Sequence, residues 1–215
     1  MAVVGIVPAA GRGERLGQVE PKAFAACAGR PLVEWSLEVL EAVCDRVVVA
    51  VPPGREEGPD RVAGGASRSA SVRAALAAAP EATVAVIHDA ARPLVTRELV
   101  EACIAAVRDG SDGAVAAAPV SDTVKEVESG GRVVRTLDRS RLWAIQTPQA
   151  FDAETLRRAL VADEAVLAAA TDDAALVEAA GGSVRVVEAP PENIKVTSEV
   201  DLRLAEALLE ARASC

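Results

Sequence analysis

The chain has 215 residues, 51% of them hydrophobic and only 2% aromatic, and its 23 Lys and Arg against 32 Asp and Glu give a formal net charge of −9. That length suits one domain with a sizeable core, and the scarcity of aromatics means a core of Ala, Val and Leu, as in parallel strands covered by helices. The negative balance argues against nucleic acid or an anionic membrane surface as partner, and with no long apolar run and no basic-then-apolar leader the expectation is a cytoplasmic protein.

A β-branched apolar run, Val3 to Val7, reads as a buried strand. It leads directly into Pro8-Ala9-Ala10-Gly11-Arg12-Gly13-Glu14-Arg15-Leu16-Gly17, followed by Pro21-Lys22. Two alanines and three glycines leave this turn nearly without side chains, so an anion can lie against consecutive backbone N–H groups. Arg12, Arg15 and Lys22 add charge-assisted donors within reach. A dinucleotide fingerprint does not fit, because Leu16 stands where its third glycine should fall, and a P-loop would need Gly-Lys followed by Ser or Thr. The bare local alternative is an ordinary strand-to-helix turn.

Pro31 opens an amphipathic helix to about Val43, and Arg46 to Val51 forms the second strand. The Pro- and Gly-rich segment from Pro52 to Gly65 reads as a loop ending in a second glycine-led turn, Gly64-Gly65-Ala66-Ser67-Arg68-Ser69. A helix follows to about Ala79, and a buried strand from Thr83 to Ile87 then delivers His88-Asp89-Ala90-Ala91-Arg92-Pro93 at its C-terminal end. That edge is where open α/β sheets bind ligands. With a helix from Thr96 to Val107 and a strand from Gly113 to Ala118, the alternation implies a mainly parallel, doubly wound sheet.

Thr123 to Glu128 and Arg132 to Asp138 flank Ser129-Gly130-Gly131, a hairpin signal whose charged side chains suit a projecting β-arm, within about residues 121–141, that pairs with a second subunit. From Trp143 the chain passes through Thr147-Pro148-Gln149 into an Ala-rich helix over Asp152 to Ala169, a shorter helix after Thr171, and a strand from Ser183 to Val187. Ser198 begins the last amphipathic helix. Cys27, Cys44, Cys103 and Cys215 lack metal-ligand spacing and read as small buried residues, and the single histidine, His88, reads as a packed core residue.

Several of these segments recur in one order: Pro8 to Leu16, Pro21-Lys22, Gly64-Gly65 with Arg68 and Ser71, His88 to Pro93, Asp122 to Lys125, Asp138-Arg139, Gln146 to Gln149, Thr171-Asp172 and Asn193 to Thr197. From end to end this ordered set resembles the 2-C-methyl-D-erythritol 4-phosphate cytidylyltransferases of the non-mevalonate isoprenoid pathway. The resemblance implies a Rossmann-like fold of the nucleotide-diphospho-sugar transferase type, and transfer of CMP from CTP to an alcohol phosphate with Mg²⁺. It implies Arg15, Lys22 and Lys195 as the cations that stabilise the transition state. Pro8, Ala9, Ala10, Gly11, Gly13, Gly65, Arg68, Ser71, Asp89 and Ala90 would line the CTP site.

Asp89, Arg92, Thr147 and Thr171 would line the alcohol pocket, joined across a homodimer by Thr123 and Arg139 from the partner's arm. For Asp89 the residues leave three roles open: ordering waters of the metal, gripping a substrate hydroxyl, or capping the next turn. Thr147 and Thr171 could equally be helix caps. Glu14 and Ala66 depart from the family's pattern. Ribitol 5-phosphate is the rival alcohol substrate, and a non-catalytic nucleotide-binding module is the rival of another class.

Overall fold

A computed structural model describes residues 1–11 and 22–213. The first strand, β1 (Ala2–Pro8), is buried along its length as its unbroken apolar sequence requires. A two-residue-per-strand hairpin, β2 (Ala26–Cys27) and β3 (Arg30–Pro31), leads into α1 (Leu32–Glu41), with Pro31 just before the first helical residue. Next come β4 (Arg46–Val51), the short β5 (Arg61–Ala63), α2 (Arg68–Ala77), β6 (Ala82–Ile87), α3 (Arg97–Arg108) and β7 (Gly113–Pro119). The hairpin β8 (Lys125–Val127) and β9 (Val133–Thr136) stands apart as its own exposed two-stranded sheet. The chain returns through β10 (Trp143–Asp152), α4 (Ala153–Ala159), α5 (Glu164–Ala169), α6 (Asp173–Ala179), β11 (Val184–Glu188) and α7 (Glu199–Ala213).

The central sheet has seven strands in the order β11-β7-β10-β6-β1-β4-β5. All its pairings are parallel except those of β10, which runs antiparallel to both β6 and β7. Alternation along β1 sorts the two faces. Val3 and Val7 pack with Leu40 of α1 and with Val100, Cys103 and Ile104 of α3, whereas Val4 and Ile6 pack with Val72 and Leu76 of α2, Leu156 of α4 and Val177 of α6. A third cluster docks α7 onto the β2 region through Ala205, Leu209, Cys27 and Leu32. Among the described residues no helix is long and apolar enough to cross a membrane. The thiols of Cys27, Cys44 and Cys103 are free and buried, while Cys215 lies outside the described residues.

Three local expectations are corrected. Residues 143–152 form a strand of ten residues, although Pro148 and the two glutamines hide its pattern. The strand tolerates the proline because its register with β7 shifts between Ile145 and Gln149, so no ladder donor is needed there. The Ala-rich helix is two helices broken after Ala159, and the break lets Leu156, Leu160 and Leu167 all enter one core cluster. The Pro52 to Gly65 loop contains β5, paired with β4.

Phe151 is the largest fully buried side chain and lies over Gly113, where an added Cβ would come within 2.7 Å of its ring. Phe151→Ala is expected to lower unfolding free energy by about 3–5 kcal/mol, read from urea denaturation.

Candidate active site

β1 and β6 lie side by side, and β4 and β10 flank them, so the chain leaves the sheet in opposite directions at this point. Beyond the carboxyl ends of β1 and β6 opens a cleft of about 760 Å³. Its walls are Pro8 to Gly11, Lys22, Gly64 to Arg68, Ser71, Asp89 to Ala91 and Lys195. The two glycine-led turns therefore meet, as their bare backbones allow. A Cβ on Gly64 would sit 2.3 Å from that of Ala10, and one on Gly65 would sit 2.5 Å from that of Ala70. Neither position accepts a side chain without moving the wall.

The N-terminus of α2 faces this cleft, and Ser67 caps it by accepting the Ala70 N–H at 3.1 Å. Ser71 Oγ donates to the Ser67 carbonyl at 2.9 Å and accepts the Gly65 N–H at 3.1 Å. Its proton is thus committed inside the protein, and Ser71 can offer a ligand only an acceptor. The N–H groups of Ala9 and Gly64 are likewise given to Ala50 and Val51. The run of amides expected from the sequence starts no earlier than Ala10. Gly13 and the cations Arg12 and Arg15, with Glu14, lie outside the described residues.

A second cavity, of about 440 Å³, adjoins the first and shares Arg68, Asp89 and Lys195 with it. Arg92, Thr147 and Thr171 line this second space, together with Gln146, Gln149 and Asp172. The partition between the cavities is a chain of charges. Arg68 Nε donates to Asp89 Oδ1 at 3.1 Å, and Lys195 Nζ donates to Asp89 Oδ2 at 2.7 Å. Burial would push the Asp89 carboxyl up, but Arg68 and Lys195 outweigh it and hold its pKa well below the usual carboxylate range. Burial also works against the charge on Arg68, and Asp173 and Asp89 together keep it firmly cationic.

Asp89 is the one acidic side chain lining the larger cleft among the described residues, and no cluster of three metal-capable side chains occurs among them. Because each of its oxygens already accepts from a cation, Asp89 does not offer an empty bidentate seat. It suits a Mg²⁺ held mainly by phosphate oxygens and water, with at most one protein carboxylate nearby.

His88 is fully buried, as expected. Its Nε2 meets the Arg92 carbonyl at 3.1 Å, which requires a proton on that nitrogen, so Nδ1 accepts from Thr147 Oγ1 at 3.2 Å. Thr147 Oγ1 in turn accepts the Asp89 N–H at 3.0 Å. The histidine therefore supports the loop that carries Asp89. Neither threonine is a helix cap, since Asp152 caps α4 and Asp172 caps α6. Arg92 is buried and donates to the Asn193 carbonyl at 2.7 Å, and burial pulls its pKa down.

Asn193 ties the wall together by donating to Gln146 Oε1 at 2.7 Å and to the Thr147 carbonyl at 3.0 Å. Thr123 and Arg139 line neither cavity; both are exposed, and Arg139 donates to the Ser121 carbonyl. Sequence reasoning assigned no role to Gln146, Asn193 or Asp173. The first two lay within the recurring segments, but nothing local showed that they bond one another across 47 positions.

A family model described as 2-C-methyl-D-erythritol 4-phosphate cytidylyltransferase matches residues 3–211. The chain belongs to this family. A cytidylyltransferase of that name from Nocardia farcinica is 46% identical over 225 residues, covering 99% of this chain and 96% of its own. One from Rubrobacter xylanophilus is 45% identical, covering 97% and 95%. The crystal structure of the Thermus thermophilus cytidylyltransferase superposes with a TM-score of 0.83 at 38% identity, over 98% of this chain and all of that one. The mainly parallel sheet with flanking helices is thus the fold of the cytidylyltransferase family.

The neutral His88 gives a pH signature. Its pKa falls from 6.5 to about 4, first because burial disfavours the charged ring. The unfolded chain takes a proton at His88 near neutrality and the folded chain does so only well below it, so stability is lost as pH drops through that interval. The expected loss is about 3 kcal/mol between pH 7 and pH 4, read from urea unfolding, and it should be absent in His88→Asn. Asp173, whose pKa is raised by burial, works in the opposite sense at the acid end.

Proposed function

We infer that this chain transfers CMP from CTP to 2-C-methyl-D-erythritol 4-phosphate, releasing pyrophosphate, in the isoprenoid precursor pathway. The observation that carries the reading is the pair of adjoining cavities divided by Arg68, Asp89 and Lys195. A nucleotide in the larger one and an alcohol phosphate in the smaller would meet at a wall whose cations face both.

The attacking group is a phosphate oxygen that is already ionised at neutral pH, so no general base is required. Its lone pair forms the new bond to the α-phosphorus as the bond to the β-phosphate bridging oxygen breaks, and pyrophosphate leaves with that electron pair. The obstacle is the meeting of two anions, and catalysis consists of positioning and fixed positive charge. Arg15, Lys22 and Lys195 fill that role in this reading. Lys22 and Lys195 approach the larger cleft from opposite ends of the sequence. Mg²⁺ bound to the phosphates, with Asp89 contacting it through water, would neutralise charge on the triphosphate.

In the same reading, Ala10 and Gly65 with the acceptor of Ser71 select the cytosine ring, and Pro8, Ala9, Gly11, Gly13, Arg68 and Ala90 complete the nucleotide site. Arg92, Thr147 and Thr171 hold the alcohol phosphate. The β8–β9 hairpin is the contact of a homodimer, through which Thr123 and Arg139 reach the neighbouring subunit's pocket. Residues 1–215 act as one transferase domain in the cytoplasm. The exposed Val127, Val133 and Val134 on the hairpin support its use as a contact.

Pyrophosphate release from CTP, Mg²⁺ and 2-C-methyl-D-erythritol 4-phosphate tests the reaction directly, with ribitol 5-phosphate as the competing alcohol. Lys22→Ala and Lys195→Ala are each expected to lower kcat by about a hundredfold or more with little change in melting temperature. Preference for ribitol 5-phosphate would overturn the substrate, and undiminished turnover in both variants would overturn the mechanism.

A further inference from the structure

Asp173 has no place in the reading above. It is the first residue of α6 and is completely buried. One carboxylate oxygen accepts from Arg68 Nη1 at 2.5 Å, while the other has no hydrogen-bond partner. Arg68 is the first residue of α2, so this bond joins two helices whose positions lie 105 residues apart. The same guanidinium then reaches Asp89 through Nε, and Asp89 holds Lys195. Four side chains from α2, α6, the loop after β6 and the segment before α7 thus form one line, with alternating charge, from the core to the partition.

We propose that Asp173 is a positioning residue for the transfer step: by holding one end of Arg68 it restricts that cation to a single bond with Asp89, which leaves the second Asp89 oxygen for Lys195. The inference rests on the transferase reading and adds to it the group that aims the lysine. Arg68 is a planar fork with donors along two edges. Anchored at Nη1 by Asp173, it presents only Nε to Asp89. Freed from Asp173, it can turn one whole edge onto Asp89 as a bidentate pair, the geometry that guanidinium and carboxylate favour. Lys195 would then lose its counter-charge and its aim. Burial without a full set of partners is a poor arrangement for stability alone, because removing both members of a buried pair is often harmless.

The test uses Asp173→Asn, Asp173→Glu, Arg68→Met and the double variant Arg68→Met/Asp173→Asn in the full chain. Asp173→Asn is expected to lower kcat about tenfold or more while KM for both substrates stays within about threefold, and Asp173→Glu should recover part of that loss. The double variant should turn over like Arg68→Met alone, since Asp173 acts only through Arg68. If Asp173→Asn fails to fold, that comparison decides by itself, because a further tenfold loss in the double variant would overturn the proposal. A readout without substrate completes it: brief acetic anhydride labelling, followed by mass spectrometry with Lys125 as internal reference. Labelling of Lys195 should rise about threefold in Asp173→Asn as its pairing is lost. Unchanged labelling together with kcat within twofold of wild type would overturn the proposal. If wild-type protein released no pyrophosphate while Lys195 labelling still rose in Asp173→Asn, the transferase reading would fall and only the hold of Asp173 on Lys195 through Arg68 would stand.

Discussion

The site depends on one carboxylate kept ionised where solvent is scarce. Asp89 sits at the end of a central strand with little exposure of its own, and an isolated charge there would be neutralised rather than tolerated. Two cations prevent this, Arg68 from the first turn of α2 and Lys195 from the segment entering α7. The rest of the partition serves that arrangement. His88 beneath it is neutral and satisfied, Thr147 secures the Asp89 backbone, and Asn193 fixes the strand from which Thr147 projects. Charges that would be a burden in an ordinary core are concentrated where, in the proposed function, two anionic substrates meet.

The fold supplies the place for this more than the residues. Reversal of strand order beside β1 opens a crevice in any sheet of this kind, and the glycine-led turns at the ends of β1 and β5 keep it open to main chain. The antiparallel β10 is the unusual member. By running against its neighbours it brings Gln146 and Thr147 to the ligand edge while burying Phe151 at the opposite end, so one strand serves both pocket and core.

Much of this was legible in the sequence where physics is local. Unbroken Val-rich runs marked β1, β4 and β6, and the glycine-led turns marked the edge of the sheet where the larger cavity opens. Helix caps explain why α2 and α3 begin where they do, at Ser67 and Thr96. Strand β10 was hidden because Pro148 ordinarily argues against a strand, and its tolerance depends on a register shift that only pairing with β7 reveals. The charge chain was hidden for a related reason. Arg68, Asp89, Asp173 and Lys195 were visible as residues, but which carboxylate met which cation is a matter of helices packed from distant parts of the chain. Neither composition nor period carries that information.

The contrast between the two cavities bears on how such an enzyme can change. Around the larger one, close approach at Gly64 and Gly65 leaves that part of the wall to peptide groups, which a codon change cannot remove and can only obstruct. The smaller one is lined largely by side chains, Gln146, Gln149 and Thr171 among them, whose size and polarity substitution can alter. Under the proposed function, descendants of this chain are freer to acquire a new acceptor than a new nucleotide, and a compound designed to rest on the peptide wall would meet fewer routes to resistance.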